Sequence, residues 1–232
     1  MYAIALGAAI GVSGCLLVLA LMEGGGVWVP AAVAALAATA LAIRQLLQGE
    51  DAYVDSLRRA TITDTLTGLL NRRGFQERLE IELARAGRDG DPMVLMVADV
   101  DNFKEINDRL GHLGGDMTLE RVAGVISRNT RASDATARLG GDEFAFILPS
   151  TSADQAHFLA ERIRHAIESS FGGTAASVTI SLGAAEYPVH GRTAEELLDA
   201  ADKALYESKA HGRNRATLSS AMPEPGNAAA PV

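Results

Sequence analysis

Cysteine occurs once in the 232 residues, at Cys15, so neither an intrachain disulfide nor a cysteine-based metal cluster can form. Aromatic side chains make up only 5% of the chain, and they do not form the series of stacking platforms that single-strand nucleic-acid binders use. An excess of positive charge is missing as well. The formal net charge is −8, which excludes the basic footprint that a general nucleic-acid binder needs to neutralise phosphates. No internal repeat is evident. The sharpest deficit is local: Glu23 is the only charged side chain among residues 1–43, whereas charges of both signs are dense from Arg44 onward.

Such a segment is not soluble-domain sequence. A helix over residues 3–22 would rise about 30 Å, close to the hydrocarbon thickness of a bilayer. One over residues 27–43 would rise about 25 Å, with Pro30 tolerated in its first turn. Residues 1–43 therefore predict a membrane anchor, a transmembrane helical hairpin joined by EGGG at 23–26. A cleaved signal peptide is the alternative for the first stretch, but its basic n-region is missing and a second apolar run follows at once. Arg44, Arg58, Arg59, Arg72 and Arg73 follow the second span, as the positive-inside rule expects of a cytoplasmic remainder. Ala3, Gly7, Gly11 and Cys15 share one helix face, suited to close packing against a second chain or against the Ala34, Ala38 and Ala42 stripe of the same chain. Leu46, Leu47, Tyr53, Val54 and Leu57 give residues 44–61 the stripe of a connecting helix. At the other end, PEPGNAAAPV at 223–232 has no core-forming residues, and residues 219–232 predict a disordered tail.

Residues 62–218 have the length of one domain. Within them MVLMVA at 93–98 is uncharged and rich in strand formers, so it reads as a buried strand that delivers Asp99 and Asp101 at its end. Gly140 and Gly141 lie between ATARL at 135–139 and FAFIL at 144–148, the pattern of a hairpin with Asp142 and Glu143 at its tip. Periodicity and turn signals predict helices over 75–86, 102–109, 115–129, 153–169 and 193–210, a hairpin over 131–146, and strands over 177–185 and 215–218. This order predicts an α+β fold, with helices flanking a mainly antiparallel sheet. Two carboxylate-bearing tips side by side could hold magnesium against phosphate oxygens. Composition does not decide whether they meet.

The run GGDEF at 140–144 stands in a series with DTLTGLLNRR at 64–73, DVDNFKEIND at 99–108, GHLGGD at 111–116, ADKALYESK at 201–209 and GRNR at 212–215. In this order the blocks resemble the GGDEF family of diguanylate cyclases over roughly residues 62 to 218. The resemblance implies a nucleotide-cyclase or polymerase-palm-like core. It also implies condensation of two GTP into cyclic di-GMP and two pyrophosphates across a homodimer, each domain holding one GTP. Two Mg²⁺ or Mn²⁺ ions per active site would be held by Asp99, the Val100 carbonyl and Asp142, with Asp142 or Glu143 taking the proton of the 3′-hydroxyl. Phe103 and Lys104 fall on the loop whose amides would cradle the outer phosphates. Asn107 and Asp116 match the guanine readers, although Asn107 also reads as a helix-end cap. Lys209 and Arg213 match the triphosphate contacts. Arg131 and Asp134, with Arg162, resemble an RxxD site at which cyclic di-GMP inhibits its own synthesis. The expected location is the bacterial inner membrane with the domain in the cytoplasm, where the GTP pool is. A catalytically silent receptor for GTP or cyclic di-GMP is the alternative.

Overall fold

The computed structural model describes residues 62–172 and 177–220, together with residues 33, 34, 37–41 and 44. The chain divides into two units, Met1–Thr61 and Ile62–Val232. Of the first, the described residues are helical, with Val33 and Leu41 exposed. The predicted span at 3–22, most of that at 27–43, the connecting helix at 44–61 apart from Arg44, and the tail from residue 221 lie outside the described residues. Among the described residues no helix is long and apolar enough to cross a membrane.

In the second unit the order of elements is α1 (Arg72–Asp89), β1 (Met93–Val100), α2 (Phe103–Asn129), β2 (Ala135–Gly140), β3 (Glu143–Pro149), α3 (Ala153–Ser170), β4 (Ile180–Tyr187), α4 (Ala194–Ala210) and β5 (Ala216–Leu218). The sheet runs β2-β3-β1-β4-β5. Its first three pairings are antiparallel and only β4 with β5 is parallel. The uncharged run of β1 is explained by its place. It is the central strand, paired on both edges and covered on both faces, so neither side of its alternation meets water. Val94, Met96, Ala98 and Val100 pack towards Leu119, Val122 and Ile126 of α2 and Ile163 of α3. Met93, Leu95 and Val97 pack in a second core with Phe75 and Leu79 of α1 and Leu197 and Ala201 of α4. The result is an α+β sandwich with two helices on each face of one mixed sheet.

Local chemistry sets the element ends. Asn71 caps α1 by accepting from the Gly74 N–H at 3.0 Å, which starts that helix three residues before the predicted Phe75. Ser152 with Gln155 and Thr193 with Glu196 form capping boxes on α3 and α4. The two predicted helices over 102–109 and 115–129 are one element, broken inside by Gly111 at φ 72° and ψ 170°. The predicted hairpin begins later than Arg131, because residues 131–134 close a turn: the Arg131 N–H donates to Asp134 Oδ2 at 2.8 Å and the Asp134 N–H to the Arg131 carbonyl at 3.0 Å. The last strand ends at Leu218 as predicted, and the Ser219 N–H closes it by donating to the Ala184 carbonyl at 2.7 Å.

Candidate active site

The two acidic tips meet. In the antiparallel register of β1 with β3, Asp99 stands opposite Glu143, and the Val100 N–H donates to the Asp142 carbonyl at 3.2 Å. Gly140 and Gly141, at φ 152° and 52°, supply the turn that puts Asp142 and Glu143 at the end of the hairpin. Two arginines hold this tip from outside. Arg138 donates from Nε to the Gly141 carbonyl at 2.9 Å and reaches Asp64 with Nη1 at 3.3 Å. Burial pushes the Asp64 carboxyl up, but hydrogen bonds from Thr67 and Arg138 outweigh it and hold it below its ordinary value. Arg72 donates to the Leu139 carbonyl at 3.2 Å and lies 3.7 Å from Glu143 Oε2. On α4, Asp202 faces the same hairpin, and burial, then Glu143 and Asp199, raise its carboxyl above the ordinary value against the pull of Arg72 and Lys209.

Asp99 is the electrostatic centre. Its side chain is only 15% exposed, and its Oδ1 lies 2.9 Å from Lys209 Nζ. Burial raises its carboxyl above the ordinary range, Asp142 and Asp101 add to the rise, and Lys209 opposes it. Partly dehydrated carboxylates beside one another are a site that a divalent cation would relieve, and the donors Asp99, Asp142 and the Val100 carbonyl are all hard oxygens suited to Mg²⁺. Among the described residues no group of three or more His, Cys, Asp or Glu gathers to hold a metal alone. Phosphate oxygens and water would have to complete the shell of an ion held here.

Of the remaining residues expected to bind the nucleotide, Lys209 reaches this centre, while the others stand on α2 and on the loop after α4. The first turn of α2 carries Phe103 and Lys104, and its N-cap, Asn102, makes no side-chain cap bond, so no cap side chain covers their amides; the next amide, that of Glu105, already donates to the Asn102 carbonyl at 2.9 Å. Asn102 holds the N-cap of α2, and Asn107 lies within the helix, four residues before its break at Gly111. That break folds α2 back, and the Asn107 amide rests on the backbone of Gly115, next to the exposed Asp116. A Cβ on Gly115 would come within 1.9 Å of Asn107 Oδ1 and 3.2 Å of Phe103 Cζ. Helix α4 ends in a Schellman turn, with the Gly212 N–H donating to the Lys209 carbonyl at 3.3 Å and the Arg213 N–H to the Ser208 carbonyl at 3.1 Å. This puts Lys209 on Asp99 and leaves Arg213 on the loop that follows.

Asp101 is the residue that sequence reasoning left without a role. It is 5% exposed and accepts from Ser181 Oγ at 2.7 Å, Thr179 Oγ1 at 2.7 Å and the Asn214 N–H at 3.0 Å. Its spacing from Asp99 marks it as a second strand-end carboxylate, but nothing in the sequence separates an anchor from a ligand. Arg131, Asp134 and Arg162 line one cleft of about 350 Å³, together with Thr151, Asp154 and Phe158. Arg162 Nη2 donates to the Asn129 carbonyl at 2.6 Å. Phe158, unmarked in the sequence, is 69% exposed beside the two arginines, a flat apolar face suited to a planar base.

Comparison with known proteins agrees with this architecture. Residues 61–215 match the family model described as the diguanylate cyclase GGDEF domain. The chain is 42% identical over 166 residues to the diguanylate cyclase DgcP of Pseudomonas aeruginosa, covering 70% of this chain and 25% of that protein. It is 40% identical over 193 residues to diguanylate cyclase A of Treponema denticola, covering 81% and 49%. Among solved structures, the GGDEF domain of DgcB from Caulobacter crescentus, in complex with c-di-GMP, is similar at 38% identity and a TM-score of 0.63, over 68% of this chain and 95% of that one. The chain spans between a quarter and a half of the length of these curated relatives.

Proposed function

The chain belongs to the diguanylate cyclase GGDEF-domain family, and on that premise we propose that it condenses two GTP into cyclic di-GMP and two pyrophosphates. The observation that carries the proposal is the meeting of Asp99 with the Asp142–Glu143 tip beside Lys209. In-line transfer asks a protein mainly to position the nucleotides and neutralise charge. The 3′-hydroxyl of one GTP attacks the α-phosphorus of the other; the new P–O bond replaces the bond to pyrophosphate, and the hydroxyl proton passes to Asp142 or Glu143. A second, reciprocal transfer closes the ring, so two domains, each holding one GTP, act face to face as a homodimer. Asn107 and Asp116 read the guanine edge. The α2 amides at Phe103 and Lys104, with Lys209 and Arg213, bind the triphosphate. Asp99, the Val100 carbonyl and Asp142 would hold two Mg²⁺ or Mn²⁺ ions, which when bound supply Lewis-acid stabilisation of the phosphates. The near-absence of charge over residues 1–43 supports an anchor in the bacterial inner membrane, with the domain in the cytoplasm.

The test is competition. Offered an equimolar mixture of the four ribonucleoside triphosphates with Mg²⁺, the full chain should consume GTP alone and yield cyclic di-GMP; binding of GTP without consumption would instead make it a receptor. Gly115→Ala checks the base-reading part. The clash falls on the movable end of Asn107, so the fold should survive with little change in melting temperature, while the displaced amide raises KM for GTP about tenfold. An unchanged KM would remove Asn107 from guanine recognition.

The cleft of Arg131, Asp134 and Arg162 supports product inhibition, because arginines beside an exposed aromatic suit a phosphate and a purine. Arg131→Ala should leave initial rates intact and raise the concentration of cyclic di-GMP that halves the rate about tenfold or more. Progress curves with added product measure this directly, and inhibition equal to that of the unsubstituted chain would reject the site.

A further inference from the structure

We propose that Asn214 is a positioning residue for the triphosphate grip, holding Arg213 in a backbone conformation from which its guanidinium reaches the nucleotide; this rests on the reading of Lys209 and Arg213 as triphosphate contacts. Three consecutive residues have positive φ: Gly212 at 106°, Arg213 at 60° and Asn214 at 46°. Glycine adopts such angles freely, but an arginine does so only where its surroundings over-determine it. The surroundings here converge on Asn214. Its N–H donates to Asp101 Oδ2 at 3.0 Å, its Oδ1 accepts from Arg164 Nη1 at 2.9 Å, and its Nδ2 donates to Glu168 Oε1 at 2.9 Å.

Each partner is itself fixed. Asp101 is buried and bonded to Ser181 and Thr179, two residues past the metal-facing Asp99. The Arg164 side chain is 11% exposed and paired with Glu161 at 3.0 Å and Glu168 at 3.3 Å. Just beyond, the Arg215 carbonyl accepts from the Leu182 N–H at 2.9 Å. Asn214 thus joins the end of β1, helix α3 and the loop after α4, three parts of the chain that only the folded domain brings together. Arg213, by contrast, is exposed, and its guanidinium makes no hydrogen bond or ion pair to the described residues. A rigid backbone with an unengaged cation is what a phosphate-binding loop requires, since little ordering remains to oppose binding.

Two variants separate positioning from general support of the fold. Asn214→Ala removes both anchors and the tolerance of positive φ. Asn214→Gly keeps φ accessible and the N–H to Asp101 but removes the bonds to Arg164 and Glu168, and folds more readily. Titration of the full chain with Mg²⁺ and GTP, supplied as its 3′-deoxy analogue so that it binds without being consumed, and separately with guanosine, reads the effect. In both variants GTP should bind about tenfold more weakly or worse, the size expected for losing one charge-assisted contact. Guanosine, which has no phosphates, should bind within about twofold of the unsubstituted chain. A glycine variant that binds GTP as the unsubstituted chain does would overturn the proposal, and so would equal weakening of GTP and guanosine. If the unsubstituted chain itself fails to bind GTP, the site reading fails first and the proposal falls with it.

Discussion

Asp99→Asn should lower turnover by about a thousandfold or more and, at neutral pH, raise the melting temperature of the domain. The two effects share one cause. Asp99 is mostly buried at the end of β1, and burial, reinforced by Asp142 and Asp101, raises its carboxyl above the ordinary value of 3.8 despite the ion pair with Lys209. A carboxyl raised in the folded state binds its proton more tightly there than in the unfolded chain. Its contribution to stability is therefore favourable below the unfolded value and is lost as pH rises through the folded one. At neutral pH the ionised group opposes folding, a cost that the proposed cation and phosphate chemistry would explain. The amide removes that cost, and Lys209, at 35% exposure, can turn to water. The gain in melting temperature should be largest near pH 7 and shrink as pH falls towards about 4. Added Mg²⁺ should stabilise the unsubstituted protein and leave the variant unmoved. Thermal denaturation over pH with and without Mg²⁺ measures all of this; a variant less stable than the parent at pH 7 would contradict the electrostatic account.

Asp142→Ala should abolish synthesis to a similar degree while leaving the melting temperature nearly unchanged. What ties the hairpin to β1 at this position is backbone: the Asp142 carbonyl, which accepts from Val100. The tip is otherwise held by Arg138 on the Gly141 carbonyl and by Arg72 on Leu139 and Glu143. None of these contacts uses the Asp142 side chain, so its removal costs chemistry and not structure. Substantial turnover by this variant, with cyclic di-GMP measured chromatographically, would remove Asp142 from metal binding and proton transfer together.

The elements that position the site are local in sequence, and most of them were legible. The uncharged run of β1 reads as a buried strand, and the Gly140–Gly141 turn as a hairpin with Asp142 and Glu143 at its tip; both stand so in the structure. Boundaries shifted where a side chain competes with the pattern, as at Asn71 and in the turn that Asp134 closes on Arg131. The partners of the site residues were not legible, because they lie far along the chain. Asp101 meets Asn214 across 113 positions and Arg138 meets Asp64 across 74. Neither periodicity nor spacing reports such pairings. Phe158 was equally silent, since an aromatic on an amphipathic helix is expected to be core and this one faces the Arg131 cleft.

The central claim is that two half-sites on separate copies of this chain join two GTP. Its most direct test follows cyclic di-GMP and pyrophosphate together while the concentration of the full chain in detergent or membranes is varied at fixed GTP and Mg²⁺. The account predicts two pyrophosphates for each cyclic di-GMP and a rate that rises more steeply than protein concentration until dimers saturate. GTP left intact at every protein concentration, or a cyclic product formed from one nucleotide at a rate linear in protein, would contradict it.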